Sequence, residues 1–281
     1  MESLKNYSSS DSEEEEEIQK NVKKQKVIPV PVQSIEIFSQ HKQMRTNFKT
    51  SSLFSYIPWN PSFTTTKKLD KLTSFVTESV PLLNQNYEFK PVNKDIKRLI
   101  KYHMTIFPTT NIENENLPHF INDIKTEIEA IKPSEKLLRQ PHNSNVEVLN
   151  IFNSTKYLNL KFENNLILGR SPTKNLVFLC GVIKLNSELE DYFDNIIKNF
   201  NISTKQNHGQ VQFPDLLKDK LHITLATGYP KTLNTPTFEV LENSVKSVDV
   251  SSLVDDIDID VNEIIIRDMA SLSKYKIDLV S

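Results

Sequence analysis

Two short stretches of this 281-residue chain pair an imidazole with a hydroxyl at strand spacing: Lys220 to Tyr229 reads KLHITLATGY, and Tyr102 to Phe107 reads YHMTIF. Side chains two apart on a strand share a face. His222 and Thr224 therefore point one way while Leu221, Ile223 and Leu225 point the other way into a core, and His103 and Thr105 are placed likewise. Two such strands meeting across a cleft supply what cleavage of RNA through its own 2'-hydroxyl requires. One imidazole takes the 2' proton, and the other gives a proton to the leaving 5'-oxygen. The hydroxyls donate to the phosphoryl oxygens as charge builds there. Imidazole titrates near neutrality and can play either part. One ring must be neutral and the other protonated, so the rate should be bell-shaped in pH.

Context separates these motifs from chance, since about one His-x-Ser/Thr is expected among six histidines. His142-Asn143-Ser144 fits the same pattern but lies in a turn-like Pro-His-Asn-Ser-Asn segment without apolar alternation. The other two copies have bulky apolar neighbours on both sides and stand far enough apart for one lobe apiece. Other constellations are weaker. Asp256, Asp258 and Asp260 alternate with Ile257, Ile259 and Val261, which reads as a strand with a solvated acidic face rather than a metal cluster. The sequence has no Cys/His zinc spacing and no Gly-x-Ser-x-Gly elbow, and with four glycines a phosphate-cradling loop is not expected. Lys97, Arg98, Lys101, Arg170 and Lys174 are the basic residues offered as phosphate contacts.

Composition narrows the setting. A net charge of -2 gives no overall attraction to nucleic acid, so RNA binding must come from a local patch. The single cysteine, Cys180, excludes an internal disulfide framework and reads as a small buried hydrophobe. No apolar run is long enough to span a bilayer, and the acidic N-terminus resembles neither a secretory signal nor a transit peptide. Residues 1–50 carry serines, five glutamates from Glu13 to Glu17, and then Lys20, Lys23, Lys24 and Lys26. Such blocks read as a solvated, disordered tail, with Ser8 to Ser12 open to phosphorylation and the lysines as an alternative nuclear-import signal. A folded domain is placed at 51–281, where Phe54, Tyr56, Ile57 and Trp59 change the texture.

Within it the spacing predicts a helix over 67–83 closed by Pro81, and a first histidine strand over 100–107 stopped by Pro108. A second helix is expected over 117–131, strands over 146–151, 156–162 and 176–185, and a helix over 187–200 with Ser187 as N-cap. A helix over 238–248 and strands over 257–266 and 274–279 complete the chain. This order gives an α+β fold with mixed or antiparallel sheets and flanking helices.

The paired motifs resemble the two-histidine (2H) phosphoesterase superfamily, whose fold is two pseudo-symmetric lobes facing a central cleft. Within it the chain is similar to the U-six biogenesis family of RNA 3'-end exonucleases. The likeness runs through Phe54 to Trp59, Lys161 to Asn164, Phe178 to Val182, Asn199 to Ile202, Leu221 to Ala226, Ile266 to Asp268 and Lys274 to Leu279. It implies a metal-independent enzyme that trims terminal uridines from U6 small nuclear RNA and leaves a 2',3'-cyclic phosphate, which some members open to a 3'-phosphate. His103 would be the base, His222 the acid, and Thr105 and Thr224 the phosphate holders, where the family usually has serine. Phe213 and Ile223 are the positions assigned to the nucleotide. The family's base-stacking tyrosine before the second histidine is absent from 206–220, which leaves Phe213 as the available aromatic. A nuclear monomer acting on RNA 3' ends, with no cofactor and no membrane, is expected. The alternatives are a 2H cyclic phosphodiesterase acting on other RNA ends and a non-catalytic adaptor.

Overall fold

A computed structural model of the chain describes residues 49–139, 156–171, 174–218, 220–231 and 237–280. Residues 1–48 of the expected tail, His142-Asn143-Ser144 and the strand expected at 146–151 lie outside the described residues. Within them the protein is mixed α+β, with six α-helices and antiparallel strand pairing throughout.

The chain opens with β1 (Thr50–Pro58), α1 (Phe63–Ser79) and α2 (Pro81–Asn86). Pro81 starts α2 rather than closing α1, because a first helical position has no N–H bond to lose. Strand β2 (Tyr87–Pro91) follows, then β3 (His103–Glu113), the first histidine strand. It runs past Pro108, where it was expected to stop. The register with β1 jumps from Ser55↔Phe107 to Leu53↔Thr110, so Pro108 sits in a bulge where its missing N–H interrupts nothing.

Helix α3 (Leu117–Glu129) leads to the short β4 (Leu138–Arg139) and to β5 (Tyr157–Leu160), β6 (Phe162–Arg170) and β7 (Val177–Ile183). Then come α4 (Ser187–Gln206), β8 (Gln210–Val211), a 3-10 turn (Pro214–Lys218) and the second histidine strand, β9 (His222–Pro230). The cap of α4 is Asn186, whose side chain accepts from the Leu189 N–H at 2.9 Å, so Ser187 is the first helical residue rather than the N-cap. Last come α5 (Phe238–Lys246), α6 (Ser251–Val254), β10 (Ile259–Val261), β11 (Glu263–Asp268) and β12 (Lys274–Asp278). The strand expected over 257–266 is thus two strands. β10 joins β5 and β4 in a small sheet, and β11 pairs with β1 and β12 in the large one. Of the three aspartates expected on one strand face, β10 contains Asp260 alone; Asp258 precedes it and is held by Lys161 at 2.9 Å and Arg139 at 3.2 Å.

The main sheet runs β12-β11-β1-β3-β9-β7-β6, so the two histidine strands are central neighbours. They touch through one pair, Met104↔Ile223, and then part. Beyond it β3 takes up β8 at Thr110 and Asn111, and β9 takes up β2 from Ala226 to Pro230. Below the contact lies the core, with Met104, Ile223, Trp59 and Phe162 buried. Gly181, the partner of Ile223 on β7, leaves room for the Phe162 ring, which a Cβ there would meet at 2.5 Å.

Candidate active site

The single Met104↔Ile223 pair fixes the site. If Met104 and Ile223 point into the core, alternation sends the residues flanking each of them to the opposite face. Those residues are His103 and Thr105 on β3 and His222 and Thr224 on β9. All four line one cavity of about 270 Å³. In antiparallel register each histidine stands across from the other strand's threonine, and the two histidines are diagonal, a relation that spans about 7–8 Å between strands. That is enough for one phosphate between them.

Both rings are held the same way. His103 Nδ1 lies 2.6 Å from the Lys101 carbonyl and His222 Nδ1 lies 2.8 Å from the Lys220 carbonyl. A carbonyl only accepts, so each Nδ1 carries a hydrogen and each Nε2 is the nitrogen left to exchange a proton. The bond uses main chain, so it is through their carbonyls that the two lysines hold the rings. Their side chains are engaged elsewhere, Lys101 Nζ with the Asp95 carbonyl at 2.7 Å and Lys220 Nζ with Glu163 at 3.0 Å.

The surroundings of the rings differ. Phe54 and Tyr56 on β1 stack on each other and present themselves edge to face against His103, with centroids 5.5 Å away in each case. Burial pushes the His103 proton affinity down to about 4, the Lys101 carbonyl opposes that shift, and the positive charges of Arg98 and His222 add to it. Arg98 lines the same cavity, its guanidinium lying 5.2 Å from the Phe178 ring centre and its Nε donating to Thr227 Oγ1 at 3.0 Å. Burial lowers its pKa, while Cys180, Asp95 and Tyr229 oppose that effect. The loop that carries Arg98 is tied down by Asp95, 2% exposed, which accepts from the Tyr229 hydroxyl at 3.0 Å and the Lys97 N–H at 3.1 Å.

Of the basic candidates, Arg98 and Arg170 line the cavity; Lys97 instead lies over the Tyr229 ring. Phe213 is 45% exposed, has a left-handed φ of 53°, and is absent from the cavity wall, to which the same segment contributes Leu216. The side chain of Ile223 is 1% exposed and belongs to the core, so it cannot contact a nucleotide; the alternation that presents its two neighbours buries it. The role of Phe54 and Tyr56 in packing His103 was missed. Strand alternation on β1 beside β3 was the signal that could have found it.

No protein-family model and no curated protein matches the sequence. Solved structures do. The chain is an antiparallel α+β protein in which two histidine-bearing strands meet at the centre of one sheet. In particular, the structure of Kluyveromyces marxianus Usb1 matches with a TM-score of 0.58 at 12% identity, covering 82% of this chain and 98% of that one. Kluyveromyces marxianus Usb1 with uridine monophosphate matches with a TM-score of 0.55 at 12% identity, covering 82% and 97%. The chain has the Usb1 fold.

Proposed function

We propose that this protein belongs to the U-six biogenesis family within the 2H phosphoesterases, and that it trims terminal uridines from the 3' end of U6 small nuclear RNA without a metal. The observation that carries this reading is the convergence of His103, Thr105, His222 and Thr224 on one cavity, with both Nδ1 atoms tied to main-chain carbonyls. The Usb1 fold supports it, as does a solved Usb1 structure with uridine monophosphate. The way β3 and β9 touch once and then each recruit a further strand supports reading the molecule as two related halves facing a cleft.

In the proposed reaction His103, held neutral by its surroundings, takes the 2'-hydroxyl proton on Nε2. The 2'-oxygen bonds to phosphorus as the bond to the 5'-oxygen breaks, and protonated His222 gives its Nε2 proton to that oxygen. The products are an RNA ending in a 2',3'-cyclic phosphate and a free nucleoside. His103 is now charged and His222 neutral, the states needed for water to open the ring in reverse. Thr105, Thr224 and Arg98 would stabilise the phosphoryl oxygens. Acting on this RNA would place the protein in the nucleus.

The test is purified protein with 3'-labelled oligouridylate in EDTA, with the ends read by mass. Shortening by single nucleotides to cyclic-phosphate ends is expected. Activity that vanishes in EDTA, or survives a 2'-deoxy penultimate residue, overturns the reading.

A further inference from the structure

The connection from β2 to β3, residues 92–102, carries Arg98 into the cavity across the fork where the histidine strands part, since β2 pairs with the far end of β9 while β3 meets β9 only at Met104↔Ile223. The shape of this loop is set locally. The Lys94 and Asp95 N–H groups both donate to the Pro91 carbonyl at 3.0 Å, and the Arg98 N–H donates to the Asp95 carbonyl at 3.2 Å. Its side chains fasten it to β9. The register of β7 with β9 jumps from Cys180↔Thr224 to Leu179↔Ala226, so β9 holds one extra residue there, and Thr227 and Tyr229 fall on the face of His222 and Thr224. Thr227 Oγ1 accepts from Arg98 Nε at 3.0 Å, and the Tyr229 hydroxyl donates to Asp95 Oδ2 at 3.0 Å.

We infer that Tyr229 and Asp95 are positioning residues, whose hydrogen bond clamps the loop to the second histidine strand and thereby aims Arg98 at the scissile phosphate and at the first histidine. The inference rests on the reaction proposed above and adds the device that keeps Arg98 within range of His103.

Three observations carry it. Asp95 is 2% exposed, and a buried carboxylate needs donors. The Lys97 N–H, at 3.1 Å, comes from its own loop, so among the described residues Tyr229 is the donor its carboxylate draws from elsewhere in the fold. Tyr229 is also kept a donor. Burial first, and the bond to Asp95 second, push its hydroxyl up to about 12, and the Lys97 and Lys90 ammonium groups lie 5.3 and 5.5 Å from its ring centre. Finally, neither Tyr229 nor Asp95 lines the reaction cavity, whereas Arg98 does. The pair therefore reaches the chemistry through Arg98, a long side chain whose misplacement by an ångström is costly in rate.

The test is a double-substitution cycle. Tyr229→Phe removes the donor and keeps the ring. Its kcat/KM for oligouridylate should fall about three- to tenfold, by no more than in Arg98→Met. In an Arg98→Met background the same change should cost less than about twofold, because the group it aims is already gone. The acidic limb of the kcat/KM profile should move to higher pH in Tyr229→Phe, since a charge that disfavours protonated His103 is no longer held near it. A silent Tyr229→Phe, a loss that multiplies with that of Arg98→Met, or an acidic limb that stays in place overturns the clamp. The titration midpoint of His103, followed by NMR of its ring Cε1–H, gives a reading that does not depend on turnover. Arg98 and His222 are the charges that bear on this ring, and Tyr56 packs against it. The midpoint should rise from about 4 in Tyr229→Phe and in Arg98→Met, and no further in the double variant. A midpoint that Tyr229→Phe leaves in place overturns the clamp. Wild-type protein that cleaves nothing yet gives this pattern of midpoints would refute the proposed reaction and leave the clamp standing.

Discussion

The strands β3 and β9 carry the same short pattern and give their histidines different neighbours. Each ring donates from Nδ1 to the carbonyl two residues back, each has a threonine two residues on, and each lines the same cavity. Around His103 the structure closes in, with Phe54 and Tyr56 against the ring and the positive charge of Arg98 nearby. Around His222 it opens, since that ring also borders a second cavity of about 800 Å³. The pattern sets how each ring is held and which nitrogen is left to act; the neighbours of His103 lower its affinity for a proton. Two motifs of one pattern thereby differ in their surroundings, and the proposed reaction needs that difference.

The strongest way to break the comparison is to remove either ring. His103→Ala and His222→Ala should each lower cleavage of oligouridylate by about 10²–10⁴-fold, the range for loss of a positioned acid or base. Single-turnover assays with folded variants check this. If one substitution is silent, the strands are not partners in one reaction, and an adaptor reading gains.

Arg98 sharpens the comparison, because it belongs to the side of His103. Arg98→Met should cost about 10-fold or more, through lost stabilisation of the phosphoryl charge. It should also raise the pH of the acidic limb of the kcat/KM profile, since a positive charge that disfavours protonated His103 is gone. Arg98→Lys keeps a charge but not the planar group lying over Phe178, and should recover only part of the rate. An acidic limb that stays in place in Arg98→Met would show that this charge does not govern the base.

The threonines are expected to have smaller effects. Thr105→Val and Thr224→Val each remove one neutral hydrogen-bond donor and should lower kcat by about tenfold, while serine at either position should restore most of the rate. Equal rates in the valine variants and the wild type would remove the hydroxyls from the mechanism.

What the sequence made legible follows from range. Period-two alternation is local, so the cavity face of each histidine strand, the α+β class and the core positions Leu225 and Met104 could be read from neighbours in the chain. Helix α4 was legible for the same reason, though Asn186 rather than Ser187 caps it. Contacts distant in sequence were not. Nothing near Arg98 announces that Thr227 and Phe178 will hold its guanidinium, and nothing near Asp95 shows that the Tyr229 hydroxyl will meet it. Pro108 misled because its effect depends on the partner strand: a bulge opposite Leu53 and Ser55 turns a stop into a bend. Asn262 does the same in reverse, dividing one apolar alternation between two sheets.

The smallest expected effect is on stability, and it tests the packing of β3 without any substrate. In the folded protein His103 binds its proton only near pH 4, against an ordinary value of 6.5. Between those values the unfolded chain holds a proton that the folded one does not, so unfolding free energy rises with pH across this window. Read downward, the contribution of neutral His103 is complete above about pH 6.5 and is lost as pH falls towards about 4, where both states are protonated. His222 and Arg98 are the charges that bear on the ring, and both oppose its protonation. His103→Gln cannot titrate, so the stability gap between the wild type and this variant should shift in the variant's favour as pH drops from 7 to 4.5. Urea midpoints at those two pH values measure the shift. A gap that stays constant would mean that His103 takes up its proton as freely in the folded protein as in the unfolded chain. The difference between the two histidine strands would then have to come from the open side of His222 alone.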